Sequence, residues 1–237
     1  VDTPGPPGPG EVLLKVENVG VCGSDVHYYR EGGIGEQIVA YPHRVGHEAS
    51  ARIESVGPGA TGLSQGSLIA VEPAVSCHKC TQCRAGRPNT CENLRFLGCP
   101  GEMDGCLCEY IVMPADCCFP VPETMSPEEA ALVEPFSIAV YAVHAAGNVS
   151  GRSVGVLGTG PIGLSVLMVA NSRGGRVYAT DKLSPRLRKS LEAGAVWAAN
   201  PLETDIEAEI RELEPKGLDV VLECCGQQEA LDQAIEI

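Results

Sequence analysis

The pattern of apolar and polar positions changes near the middle of the chain. Residues 11–19 (EVLLKVENV) alternate as a half-buried strand does, as do 49–56 (ASARIESV) before Gly57-Pro58-Gly59, and 67–71 (SLIAV). Short strands broken by glycine and proline continue to about residue 120, so the first half reads as β-rich and loop-heavy. After Pro127 the character shifts, and 127–146, rich in Ala, Glu and apolar residues, predicts one or two helices. Strand and helix then alternate four times, with strands at 153–157, 176–180, 195–199 and 218–222 and helices at 161–173, 184–193, 203–214 and 227–236. That alternation predicts a parallel, doubly wound sheet. Such a sheet has about six strands. Only four are counted before Ile237, so the sequence reads as cut off at its C-terminus. Its opening, Val1-Asp2-Thr3 and a Pro/Gly run without Met, points to processing or a missing upstream segment.

Charge narrows the partners. Thirty-one acidic residues against 17 basic ones give a formal charge of −14. Such a field repels phosphate backbones and anionic lipid, so neither nucleic acid nor a membrane surface is expected as a partner. No apolar run approaches the ~20 residues that span a bilayer, and no basic stretch followed by an apolar core marks a signal peptide. Twelve cysteines in a chain of this length then point to metal or thiol chemistry in the cytoplasm rather than to a disulfide frame.

Gly158-Thr159-Gly160-Pro161-Ile162-Gly163 matches GxGxxG, directly after a predicted strand and opening a predicted helix. The first glycine permits a tight turn, the second lets backbone approach a pyrophosphate, and the third allows close helix–strand packing. The anion would sit on the free N–H groups at the helix start. Asp181 ends the next predicted strand, where a carboxylate binds both ribose hydroxyls and repels a 2′-phosphate, favouring NAD over NADP; Lys182 and Arg186 follow closely and temper that preference. A chance cluster of turn glycines beside a surface Asp is the bland alternative.

Cys77, Cys80, Cys83 and Cys91 follow C-x2-C-x2-C-x7-C. Four thiolates at short spacing on a polar loop suit a closed, tetrahedral structural zinc. Disulfides are disfavoured in the cytoplasm, and the seven-residue gap differs from the ferredoxin spacing. His78 is expected to point away, since Cys77 already supplies the ligand. Cys22 in VCGSDVHYY and His47-Glu48 in VGHEAS form a second, dispersed set. Singly, each is as easily a buried thiol or a surface pair. Together, thiolate, imidazole and carboxylate would suit a catalytic zinc with an open position, and the residues alone leave both readings open.

Taken together, GVCGSDVHYY (20–29), VGHEAS (45–50), the four-cysteine loop, LVEPFSIAVYA (132–142), VLGTGPIG (156–163) with Asp181, and LECCG (222–226) resemble the zinc-dependent medium-chain dehydrogenases, and within them the polyol (sorbitol/xylitol-type) branch. The strings stand in the family's order across essentially the whole chain. The resemblance implies an α/β fold: a GroES-like, β-rich catalytic domain over 1–135, its first strands missing, and a partial Rossmann dinucleotide-binding domain over 136–237. It implies two zinc ions and NAD. Cys22, His47 and Glu48 would hold the catalytic zinc, with Glu134 facing it directly or through its water, and with an acid at that position pointing to polyols. Asp25 would orient the histidine, Ser24 and His27 would relay a proton, and Tyr28 and Glu134 would line the substrate site. Gly158, Gly160, Pro161, Ile162, Gly163, Asp181 and Arg186 would contact the dinucleotide.

The implied activity is hydride transfer from a secondary alcohol of a polyol to NAD, giving a ketose, in a homo-oligomer. Butanediol, other secondary-alcohol or threonine dehydrogenases share the scaffold, and a non-catalytic, zinc-stabilised fragment is the reading from another class. RFLGCPGEMDG (95–105) differs from the usual polyol pocket loop. Cys99, Cys106, Cys108, Cys117 and Cys118 are extra to the pattern and read as small buried side chains.

Overall fold

The computed structural model describes residues 4–237, so the first three positions of the Pro/Gly lead-in lie outside the described residues. The chain divides into two compact units, Val1–Glu134 and Pro135–Ile237.

The first unit runs β1 (Glu11–Gly20), α1 (Gly23–Glu31), β2 (Gly33–Ile34), β3 (Gln37–Ile38), β4 (Glu48–Val56), β5 (Leu68–Val71), β6 (Ala74–Val75), α2 (Thr81–Arg84), β7 (Arg95–Phe96), β8 (Tyr110–Pro114), β9 (Cys118–Pro120) and α3 (Pro127–Ala131), before α4 (Val133–Ala145) begins. Five strands form an antiparallel sheet in the order β8-β1-β4-β5-β9. Alternation places Ala49, Ala51 and Ile53 of β4 inward, while Arg52 and Glu54 face solvent. Val12 and Leu14 of β1, Ile69 of β5 and Met113 of β8 complete the core. Fully burying such side chains contributes roughly 1.5–3 kcal/mol each. Cys106, Cys117 and Cys118 belong to this core, Cys108 packs on its edge and Cys99 is buried nearby. Burial pushes the thiols of Cys106, Cys117 and Cys118 up to about 12, so they pack as small apolar groups.

Helix α3 starts on a reciprocal cap. Ser126 Oγ accepts from the Glu129 amide at 3.2 Å, Glu129 Oε2 accepts from the Ser126 amide at 2.8 Å, and Pro127 fills the first helical position. Helix α1, by contrast, was not legible as a helix. It buries only Asp25 and Tyr28, too few positions for an apolar periodicity, and is fixed by its ends: Asp25 caps the first turn and Gly32 ends it in the left-handed region.

The second unit takes up α4 and continues through β10 (Ser153–Leu157), α5 (Pro161–Ser172), β11 (Arg176–Thr180), α6 (Ser184–Glu192), β12 (Trp197–Ala199), α7 (Ile206–Leu213), β13 (Val220–Glu223) and α8 (Gln228–Glu236). Its four strands are all parallel, in the order β12-β11-β10-β13. This is the strand order around the centre of a doubly wound sheet. All five residues of β10 are buried, as a central parallel strand covered on both faces requires. Val154, Val156, Val166, Leu167, Val177 and Ala179 pack in one cluster, and Leu157, Tyr178, Ile206 and Ile210 in another. The fourth strand starts two residues later than the apolar pattern predicts. The Leu218 amide turns away to the Ile237 carbonyl. Asp219 ties to Ser153 at the end of β10, its amide donating to the Ser153 carbonyl at 3.0 Å and its carboxylate accepting from the Ser153 amide at 2.9 Å, so the regular pairing begins at Val220. Among the described residues no helix is long and apolar enough to cross a membrane.

Candidate metal and dinucleotide sites

The dispersed set of the first half is brought together. Cys22 lies at the start of α1, and His47 and Glu48 at the head of β4, where Gly20 pairs with Glu48 across the β1–β4 ladder. One ligand atom from each of Cys22, His47 and Glu48 lies within 4.8 Å of the other two. Gly20 makes room for this arrangement, because a Cβ there would collide with the Glu48 carboxylate. Gly46 is as constrained: its φ is 99°, and a Cβ would stand 3.1 Å from the Leu107 amide and 3.3 Å from Cys106 Sγ.

Asp25 ties the pieces to one another. Its buried carboxylate accepts from the Cys22 amide and from the Gly46 amide, both at 3.0 Å, and stands 3.7 Å from His47 Nδ1. The thiol of Cys22 is lowered, chiefly by its hydrogen bond to His47, with burial opposing and Ser24 assisting. Burial pulls the His47 imidazole down, but Cys22, Asp25 and Glu134 outweigh it and leave it raised. Glu134 stands outside the three-atom set and acts on it by charge. Burial pushes its carboxyl up to about 7; His47 opposes, and Glu48 and Glu72 add to the rise. A soft thiolate, an imidazole and a carboxylate fit zinc, and three donors leave a coordination position open.

Around this set the other expected residues divide. Ser24 stands two residues after Cys22 in α1 and helps lower its thiol. Tyr28 is buried, donates its hydroxyl to Gln37 Oε1 at 2.9 Å and meets the edge of His43. His27 is exposed and pairs with Glu31 through Nδ1 at 3.2 Å, one helical turn along α1. Phe96, which sequence reasoning did not single out, packs its ring against His47 with centroids 5.3 Å apart. Nothing in periodicity marks it; only the unusual string 95–105 could have drawn attention to it.

The four cysteines of 77–91 also converge, with one sulfur of each within 4.8 Å of the rest. Cys80 starts the single turn α2, and backbone donors surround the sulfurs. Cys91 Sγ accepts from the amides of Cys77 and Asn93, both at 3.3 Å, and Cys80 Sγ accepts from the Cys83 amide at 3.5 Å. Such donors favour thiolate, and hydrogen bonds to the Lys79 and Cys80 amides bring Cys77 down to about 6. Cys83 moves the other way, to about 12, through burial and the neighbouring sulfurs of Cys80 and Cys91. Several negative sulfurs this close call for a cation among them, and four thiolates fit a closed tetrahedral zinc. His78 takes no part: it sits in the left-handed region at φ 55° and pairs through Nε2 with Asp116 at 2.7 Å.

In the second unit a cavity of about 650 Å³ opens beside the glycine turn, lined by Gly158, Asp181, Lys182, Arg186, Leu202 and Gln227 among others. Gly158 has φ 85°, and a Cβ on it would stand 2.5 Å from Cys225 Cβ; one on Gly163 would run into the Gly158 carbonyl. Both glycines are therefore required by the turn. Gly160 precedes α5, Pro161 begins it, and Ile162 packs toward the core, so these three shape the helix start rather than line the cavity. Asp181 is buried and held by the Thr159 and Leu183 amides, each at 2.9 Å.

Comparison with known proteins places this geometry. Residues 8–123 match the alcohol dehydrogenase GroES-like domain, and residues 161–237 match the zinc-binding dehydrogenase domain. An Escherichia coli oxidoreductase/dehydrogenase of unknown specificity superposes with a TM-score of 0.93 at 30% identity, over 100% of this chain and 69% of its own. The chain belongs to the zinc-dependent medium-chain dehydrogenases. Within that family it is 39% identical to sorbitol dehydrogenase of Bacillus subtilis over 95% of this chain and 64% of that one. It is 37% identical to D-xylulose reductase A of Aspergillus oryzae over 96% of this chain and 65% of that one. The chain thus spans about 65% of the length of these curated relatives. In family terms the antiparallel sheet is the GroES-like fold, and the four parallel strands are of the Rossmann type.

Proposed function

We propose that this chain carries the metal and dinucleotide machinery of an NAD-dependent polyol dehydrogenase, which takes hydride from a secondary alcohol carbon and leaves a ketose. The observation that carries the reading is the Cys22–His47–Glu48 set, assembled within 4.8 Å with a second acid, Glu134, acting on it. The sorbitol and xylulose chemistry named for the relatives supports polyols over simple alcohols. Residues 1–135 are the catalytic domain in this reading, and 136–237 belong to the dinucleotide domain.

Bound zinc supplies a Lewis acid that lowers the pKa of a hydroxyl, and bound NAD supplies the hydride acceptor. The chain's own residues do the rest. Asp25, 3.7 Å from His47 Nδ1, would orient the ring and leave Nε2 free to hold the metal, as metal-binding histidines require. Ser24 and His27 on α1 pass the alcohol proton toward solvent. Tyr28 and Glu134 bind the substrate's other hydroxyls. Gly158, Gly160, Pro161, Ile162 and Gly163 form the pyrophosphate turn, and Asp181 takes the adenosine ribose with Arg186 beside it. Cys77, Cys80, Cys83 and Cys91 hold a structural zinc. Thiolate ligation needs reduced cysteines, which fits a cytoplasmic protein acting on small molecules. A homo-oligomer follows from the family and is checked by native mass.

Metal analysis with activity tests the reading. About two zinc ions per chain are expected. Cys22→Ser should lose one of them together with oxidation of sorbitol or xylitol by NAD. Activity unchanged by Cys22→Ser overturns the catalytic assignment; a protein that holds zinc but oxidises neither polyol, butanediol nor threonine is a zinc-stabilised binding module instead.

A further inference from the structure

The stretch 95–105 meets the Cys22–His47–Glu48 set through the Phe96 ring on His47, and one of its side chains folds back onto its start. Glu102 folds back so that Oε2 accepts from the Phe96 amide at 2.7 Å. Its own amide donates to the Cys99 carbonyl at 3.1 Å, and the Gly98 amide donates to the Met103 carbonyl at 3.1 Å. The loop therefore closes on itself at the Phe96–Glu102 pair. Its outer flank is fastened independently: the Gly105 amide donates to the Arg44 carbonyl at 2.7 Å, the Cys106 amide to the Gly46 carbonyl at 2.9 Å, and Arg44 holds Asp104 at 3.1 Å. The start of the loop, where the Phe96 ring meets the His47 ring, is held by the pairing of Phe96 with Ala74 across β6–β7, by the Leu97 amide donating to the Pro73 carbonyl at 3.0 Å, and by the Glu102 side chain on the Phe96 amide.

The loop also borders Tyr28. Tyr28 is raised to about 12 by burial first, then by Cys99 and Glu102, and Cys99 is raised to about 11 by burial and Glu102. Tyr28 in turn holds Gln37, and His43, against the edge of Tyr28, faces the Gly98 carbonyl at 3.2 Å. The 96–98 stretch thus meets His47 through the Phe96 ring and, through His43, the edge of Tyr28.

We propose that Glu102 is a positioning residue for substrate: by accepting the Phe96 N–H it holds the aromatic wall against the metal-binding histidine and so sets the fit of the substrate's carbon chain. This rests on the proposed function for its substrate, but not for its geometry. A charged acceptor on a backbone amide is among the stronger protein hydrogen bonds, and its loss is worth about tenfold in an equilibrium that depends on it.

Two substitutions test it. In Glu102→Ala, KM for sorbitol or xylitol should rise about tenfold with kcat changed less than about twofold. Glu102→Gln keeps an acceptor oxygen and should restore KM to within about twofold. Zinc content should stay unchanged in both, which separates the effect from loss of the metal site. Hydrogen exchange of the 95–98 amides, measured without substrate, should speed up in the alanine variant and return in the glutamine variant. An alanine variant with unaltered KM and unaltered exchange, or a glutamine variant as impaired as alanine, overturns the proposal. Altered exchange in a protein that oxidises no polyol would instead fault the functional reading and leave the positioning role standing.

Discussion

Arg186 Nη1 lies 3.3 Å from Asp181 Oδ2, so one of the cations lining the cavity beside the glycine turn is already engaged by a buried carboxylate there. Asp181 is buried, while the arginine side chain is about half exposed on α6. In the proposed reading the pair would couple two effects in one contact: the carboxylate would repel a 2′-phosphate and also withhold the guanidinium that could bind one.

Asp181→Asn should therefore move cofactor preference by more than the loss of a ribose contact. The ratio of kcat/KM for NAD over NADP is expected to fall by roughly tenfold or more, part of it from the freed arginine. Adding Arg186→Ala should return part of the lost discrimination. Steady-state rates with both cofactors measure this, and an unchanged ratio would remove Asp181 from the specificity role.

Gly20 gives a second prediction. A methyl at this position collides with the Glu48 carboxylate, while the β1–β4 ladder around it has no other reason to fail. Gly20→Ala should lower zinc content from two toward one per chain and abolish activity, with the four-cysteine site still loaded. Metal analysis beside far-UV circular dichroism distinguishes this from unfolding.

A third concerns pH and the metal-free protein. Glu134 holds its proton to about 7 in the folded chain, against an ordinary glutamate value near 4.5. Between those values the folded state binds more protons than the unfolded one, so raising pH through this window destabilises the metal-stripped fold. Glu134→Gln should flatten that part of the stability curve and stabilise the metal-free protein near neutrality. Urea midpoints of chelator-treated wild type and variant across pH 5–8 check the sign.

Cys91 supplies a fourth. It is buried at the centre of the thiolate cluster and accepts two backbone N–H bonds. Cys91→Ser should remove one zinc and loosen the 77–91 loop, which protease sensitivity would report. Zinc at Cys22–His47–Glu48 should remain, and retention of both ions would argue against the tetrahedral assignment.

The ease of reading the sequence differs between the two units for a physical reason. In the second, the strands are short apolar runs and α5 opens on Pro161, so β10, β11 and α5 fall within a residue of their predicted bounds, while α7 starts at Ile206, capped by Asp205, three residues after its expected start at 203. The four-cysteine set is equally legible, because all its ligands lie within one loop. The other metal set is assembled from α1 and β4, and no local pattern states that Cys22 meets His47; the family resemblance supplied that link. Helix α1 and the Phe96–His47 contact were invisible because they are made by caps and by long-range packing, which leave no periodicity.

Gly46 has a further consequence for how the protein matures. Its amide serves Asp25, its carbonyl accepts from Cys106, and its missing side chain admits the 105–107 backbone. Three stretches far apart in the chain must therefore arrive before Cys22 and His47 can share an ion. The thiolate loop closes over only a short span and pays little loop-closure entropy. Fewer long-range contacts therefore stand between the unfolded chain and the four-cysteine set than between it and the Cys22–His47–Glu48 set, which depends on Asp25, Gly46 and Cys106 being packed together.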